Sequence, residues 1–153
     1  MARKVLIGVV NNMAKSFDII IATHENLCEG LINACQLISG IKLKNVYALS
    51  FKKNMETSNF ESELDKIITT KCKENDLLIL TDIIGGTPTN IAIKQMNKNK
   101  YVEIISGINL QLLLQIIINR DEGMELTDIN IDDLISESRQ GLMSVNKKLK
   151  DFC

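Results

Sequence analysis

Asp76-Leu77-Leu78-Ile79-Leu80-Thr81-Asp82 runs without a break into Ile83-Ile84-Gly85-Gly86-Thr87-Pro88-Thr89-Asn90. The first stretch is a short apolar run closed by a carboxylate, the pattern of a strand buried on both faces. The second is a glycine-rich turn whose proline suits the first turn of a following helix. A buried strand that passes straight into a helix is one step of a β-α-β unit, and the same step recurs in both directions along the chain. Phe17–Thr23 reads as a strand, and Glu25–Ser39 as a helix with Leu27, Leu31, Ala34, Cys35 and Ile38 on one face. Gly40 stands where a helix C-terminal glycine belongs. Asn45–Phe51 is a second strand, and Ser58–Lys73 a helix carrying Phe60, Leu64, Ile67 and Ile68. After the strand Leu77–Asp82 come a helix over Thr89–Met96, a fourth strand over Tyr101–Ser106 and a helix over Leu110–Asn119. A last helix spans Ile131–Lys148, capped by Asp128 or Asn130.

This alternation predicts an α/β fold: a single-domain, open, mainly parallel four-stranded sheet covered by helices on both faces, with right-handed crossovers. Lys52–Asn59 and Asp121–Asn130 read as irregular connections. Lys4–Val10 also has the composition of a strand. Residues 1–16 are therefore expected to be an N-terminal extension or an extra edge strand, ahead of a domain over 17–153.

Bulk properties narrow the function. The 153 residues suffice for one domain with a normal core, and 45% hydrophobic with 24% charged residues is ordinary globular composition. With 18 Lys+Arg against 19 Asp+Glu the net charge is −1, so nothing favours nucleic acid as a partner. No apolar stretch approaches the roughly twenty residues of a membrane helix. The longest, around Leu110–Ile118, is interrupted by Gln111 and Gln115. The expected location is cytoplasmic. Cys28, Cys35, Cys72 and Cys153 form no CxxC pair, and one histidine leaves little for a zinc site, so neither metal nor cofactor is expected. Cys28 lies four residues after His24, but no third group is evident to orient such a pair; buried thiols are the expected reading.

The lone histidine, His24, follows the strand Phe17–Thr23 and opens the next amphipathic segment. In parallel α/β sheets, ligand sites collect at the strand ends where helices begin. His24 and Asp82 sit at two such ends, so the chain offers an imidazole on one and a carboxylate with a glycine-rich turn on the other. Imidazole is a good phosphoryl carrier because its neutral form is nucleophilic near pH 7. A carrier needs a partner for its second ring nitrogen, backbone N–H groups for the phosphoryl oxygens, and an open approach. Asp82 suits the first role, and Gly85-Gly86-Thr87 the second, with a hydroxyl from Thr87. Each feature alone is unremarkable: a histidine on the surface, an aspartate closing a strand, a Gly-Gly-Thr-Pro loop. Their joint placement makes a histidine-centred site.

At these residues the chain resembles the enzyme IIA component, mannose type, of the sugar phosphotransferase system (PTS). The resemblance rests on Ile20-Ile21-Ala22-Thr23-His24, Glu29-Gly30-Leu31 and Gly40, and on Thr81-Asp82-Ile83-Ile84-Gly85-Gly86-Thr87-Pro88-Thr89-Asn90, close to the signature D-x-x-G-G-[ST]-P-x-N. Ile105-Ser106-Gly107-Ile108-Asn109-Leu110 completes it, and order and spacing hold from about residue 17 to 145. It implies that His24 accepts a phosphoryl group from phospho-HPr and hands it to a histidine of a IIB component, which phosphorylates a mannose-, fructose- or sorbose-class sugar as the membrane permease imports it. It implies that Asp82 hydrogen-bonds the other ring nitrogen, and that Gly86 and Thr87 contact the phosphoryl oxygens. A homodimer, often with an exchanged C-terminal strand, and an association with the membrane through the permease complex are further implications.

Three positions depart from the family pattern: Glu25 where glycine usually follows the histidine, Ile84 where a large aromatic is frequent, and Gln111 where proline is common. A carboxylate at Glu25 suits a helix N-terminus but repels an incoming phosphoryl group. Two other readings use the same histidine: a regulatory module whose phosphorylation is sensed, and a phosphoryl donor for dihydroxyacetone phosphorylation. A chain of this length favours the transport role over the regulatory one. A nucleotide-binding domain is disfavoured, since neither GxxxxGK[ST] nor GxGxxG occurs.

Overall fold

The computed structural model describes residues 16–96 and 101–150. Four strands, β1 (Asp18–His24), β2 (Val46–Phe51), β3 (Leu77–Thr81) and β4 (Val102–Ser106), form one sheet in the order β2-β1-β3-β4, every pair parallel. Helices α1 (Leu27–Ser39), α2 (Thr57–Lys71), α3 (Thr87–Ile93) and α4 (Leu110–Asp121) connect and follow them, and α5 (Ile131–Arg139) and α6 (Val145–Lys150) complete the described chain. The predicted sheet is thus present, and so are the predicted helices except the last, which is divided in two. The expected strand over Lys4–Val10 lies outside the described residues.

The central strands are apolar on both faces because both faces are covered. Ile19, Ile21, Leu78, Leu80 and Ile105 face α1 and α4, packing on Cys28, Cys35, Leu112, Leu113, Ile116 and Ile117. The alternate residues Ile20, Ala22, Leu77 and Ile79 face α2 and α3, against Phe60, Leu64, Ile68, Ile91 and Ala92. Each buried aliphatic side chain is worth about 2 kcal/mol of burial, so the register of β1 against β3 (Ile19 opposite Leu78, Ile21 opposite Leu80) is strongly fixed.

That register decides the site. From β1 the chain moves to β2 at one edge, and from β3 to β4 at the other. With α1 and α3 on opposite faces, a crevice opens between the carboxyl ends of β1 and β3. His24 is the last residue of β1, and Asp82 follows directly on β3.

Local boundaries differ from the sequence reading where tertiary contacts intervene. Helix α1 starts at Leu27 rather than Glu25, because Glu25 adopts φ +48°, which no right-handed helix contains. The last helix is not continuous over Ile131–Lys148: it stops at Arg139 and resumes at Val145. Gly141 lies in that break, pressed so closely on α4 that a β-carbon there would sit 1.7 Å from Gln111 Oε1. Of the two candidate caps, Asn130 performs the role, accepting the Asp133 N–H at 3.2 Å, while Asp128 ends a short 3-10 turn.

At the opposite end of the sheet, Arg120 ties α4 to the strand starts. Its guanidinium donates to the Phe17 carbonyl (3.2 Å) and the Lys44 carbonyl (2.9 Å) and lies 5.8 Å from the centre of the Phe17 ring. Charged hydrogen bonds of this kind are expensive to leave unmade. Arg120→Ala is expected to cost about 2–3 kcal/mol of stability, read as a lowered urea midpoint with an unchanged slope.

Candidate functional site

The imidazole of His24 is held from three sides. On the β3 side, Asp82 Oδ2 accepts both the His24 backbone N–H (2.8 Å) and the ring at Nδ1 (2.8 Å). Asp82 Oδ1 accepts the Ile83 N–H at 3.0 Å, fixing the carboxylate plane. An ionised carboxylate only accepts, so the proton of the neutral ring resides on Nδ1 and the lone pair on Nε2. Burial pushes the Asp82 carboxyl up, but the backbone and ring hydrogen bonds from His24, the His24 charge and the Ile83 N–H together hold it below its ordinary value. The carboxylate is 13% exposed and the imidazole 42%, so the orienting group is covered while the ring is open to a visitor.

The second side is the turn after β3. Gly85 takes φ +78°, a left-handed conformation suited to glycine. Gly86 then passes so near the ring that a β-carbon there would lie 3.0 Å from His24 Cε1 and 3.0 Å from Ile83 Cγ2. Thr87 opens α3, followed by Pro88, which lacks an N–H and is preset for the helical first turn. The turn is braced from within. Thr89 Oγ1 lies 2.7 Å from the Ile83 carbonyl and 2.8 Å from Thr81 Oγ1. Asn90 donates to the Gly85 carbonyl through its side chain (3.0 Å) and to the Gly86 carbonyl through its N–H (3.0 Å). Of the five residues singled out from the sequence, His24, Asp82 and Gly86 are brought together, and Gly85 and Thr87 flank Gly86 in the same turn.

The third side was not foreseen. Phe51, opposite His24 in the β1–β2 register, sets its ring edge-on to the imidazole with centroids 5.8 Å apart, and Phe60 backs it at 5.4 Å. The loop after it, Lys52–Met55, borders a depression of about 200 Å³ beside the imidazole. Only the pairing of β2 beside β1 brings these residues to His24, and spacing along the chain carries no sign of it. Glu25 differs from expectation as well. It precedes the helix in a left-handed conformation that costs a residue with a β-carbon about 1–2 kcal/mol, and Glu29 is the acidic residue of the first turn. Its carboxylate is engaged: Oε1 accepts the Lys53 N–H at 2.8 Å.

Cys28 takes no part. It is buried, its N–H donates to Thr23 Oγ1 (2.9 Å), and its sulfur lies 3.2 Å from Ser50 Oγ. Among the described residues no three His, Cys, Asp or Glu side chains group as metal ligands, and no helix is long and apolar enough to cross a membrane.

The fold and the crevice define an α/β protein with one oriented histidine at the switch point of a parallel sheet. The profile of the family described as PTS system fructose IIA component matches residues 18–130, and the chain belongs to that family. The PTS system mannose-specific EIIAB component of Escherichia coli K12 is 28% identical over 138 residues, covering 85% of this chain. The chain spans 40% of the length of that relative. The sorbose-specific EIIA component of Lacticaseibacillus casei is 26% identical over 142 residues, 88% of this chain and 99% of that protein. Among solved structures, phosphotransferase system component EIIA from Streptococcus agalactiae superposes with a TM-score of 0.75 at 26% identity, over 86% of this chain and 98% of that one. Family membership rests on that profile, and the relatives it groups with are EIIAB and EIIA components named for mannose and sorbose.

Proposed function

We propose that His24 is the phosphoryl carrier, receiving the group from phospho-HPr and passing it to a histidine of a IIB component during uptake of a mannose-, fructose- or sorbose-class sugar. One observation carries this reading: Asp82 Oδ2 occupies Nδ1 at 2.8 Å while the ring stays open. The Nε2 lone pair attacks phosphorus in line. The new N–P bond forms as the donor's N–P bond breaks, and the donor imidazole keeps the electron pair. No proton leaves His24, because Nδ1–H stays on Asp82 and stabilises the positive ring that results. Thr87 receives the phosphoryl oxygens at the start of α3, whose first amides have no partner within the helix. Gly86, whose N–H donates to the Ile83 carbonyl at 3.2 Å, contacts the group by giving it close backbone approach. The second transfer is the reverse attack, by the acceptor's nitrogen on the same phosphorus. Partners therefore approach the same face in turn, at the cytoplasmic side of the permease.

We assign the carrier domain to residues 17–153 and take the functional unit to be a homodimer. Leu142, Met143, Val145 and Leu149 expose apolar side chains at the end of the described chain, as a segment that packs on a second copy would.

The test is intact-protein mass spectrometry after incubation with phosphoenolpyruvate, enzyme I and HPr. A single acid-labile phosphoryl adduct that disappears on adding IIB supports the carrier role. An adduct that IIB never removes points to a sensing module, and no adduct at all rejects the site. Gly86→Ala keeps a permitted backbone conformation but crowds Cε1, so it is expected to slow phosphoryl uptake about tenfold in a stopped-time assay with HPr.

A further inference from the structure

Glu25 is held in its left-handed conformation by bonds to the end of β2 and to the loop that follows it. Its N–H donates to the Phe51 carbonyl at 3.1 Å, and its carboxylate accepts the Lys53 N–H at 2.8 Å. The neighbouring Asn26 side-chain oxygen accepts from Lys52 Nζ. Residues 25 and 26 thus clasp residues 51–53. Of the non-glycine residues with positive φ among those described, the other two are asparagines, which tolerate this region far better than glutamate. A strained residue persists where its surroundings over-determine it, and here the surroundings are the wall of the depression beside His24.

We propose that Glu25 is a positioning residue that fixes the Lys52–Met55 loop as a preformed docking wall for the phosphoryl-donor protein. Phe51 and Met55 give this wall apolar surface, while Lys52 and Lys53 carry its charge. Asp82 orients the ring from the β3 side, and the Glu25 clasp orders the surface on the β2 side. Because the carboxylate contacts Lys53 rather than the ring, its contribution falls on partner binding and not on the transfer step. A loop already ordered in the free protein does not have to be ordered on docking, which lowers the cost of association. This inference rests on His24 being the carrier.

The test compares wild type, Glu25→Gly and Glu25→Gln with phospho-HPr as the varied substrate. Glycine accepts the left-handed backbone and deletes the tether, so this variant folds without the strain. Glutamine retains an oxygen acceptor for the Lys53 N–H but not the charge. Glu25→Gly is expected to raise KM for phospho-HPr about fivefold with kcat changed less than about twofold, and Glu25→Gln to restore most of the wild-type KM. In parallel, amide hydrogen exchange at Lys53 is expected to accelerate in Glu25→Gly and to remain slow in Glu25→Gln. An unchanged KM in Glu25→Gly beside a phosphorylated wild type overturns the inference alone. A KM that falls in both variants overturns it too, and assigns Glu25 to charge repulsion. A wild type that takes up no phosphoryl group overturns the carrier assignment, and the docking wall with it.

Discussion

His24→Ala is expected to take up no phosphoryl group from phospho-HPr and to keep its fold. The chain has no other histidine, and the proposed receiving geometry is built around this ring. The variant should fold because the bond that orders the end of β1 does not need the imidazole. Asp82 Oδ2 still accepts the backbone N–H of residue 24, at 2.8 Å in the wild type. The ring is 42% exposed, so its removal leaves no sealed cavity. The stability change is expected to stay within about 1 kcal/mol, and the circular dichroism spectrum to match the wild type. Mass spectrometry after incubation with phosphoenolpyruvate, enzyme I and HPr then reads the chemistry apart from the fold. Full phosphorylation of a folded His24→Ala would move the carrier role to another residue.

The sequence carried the sheet and the His24–Asp82 pairing for the same reason. Buried parallel strands are continuous apolar runs, and their carboxyl ends share one edge, so residues closing β1 and β3 meet without any knowledge of side chains. What it did not carry depends on neighbours distant in the chain. Glu25 looks like a helix-start carboxylate, and only the loop after β2, 28 residues away, draws it into a left-handed turn. Phe51 looks like one more apolar strand residue until β2 lies beside β1. The break after Arg139 has a local sign in Gly141, but the close approach of Gly141 to the Gln111 side chain on another helix has none. Periodicity reports which face is buried; it is silent on which loop touches which.

Asp82→Asn should slow phosphoryl transfer about 100-fold, the scale of losses when a histidine is held in the wrong tautomer, while the protein stays folded. The carboxylate receives N–H groups on both oxygens: the His24 backbone and Nδ1 on Oδ2, and the Ile83 backbone on Oδ1. An amide cannot satisfy all three. With its oxygen toward His24, its NH₂ faces the Ile83 N–H donor to donor. Flipped, its NH₂ faces the His24 backbone N–H and also donates to Nδ1, which drives the ring proton to Nε2 and removes the attacking lone pair. The positive ring of the phosphorylated state also loses its counter-charge in either pose. A second observable separates this from general damage. The Asp82 pKa lies below its ordinary value in the folded protein. Its stabilising contribution is therefore fully present above the unfolded-state pKa, roughly 4, and is lost as pH falls through the folded value. The stability gap between wild type and Asp82→Asn is accordingly expected to narrow on acidification, measured by urea denaturation at successive pH values. Unchanged transfer kinetics in Asp82→Asn would remove the carboxylate from the mechanism, and a gap that widens in acid would contradict its depressed pKa.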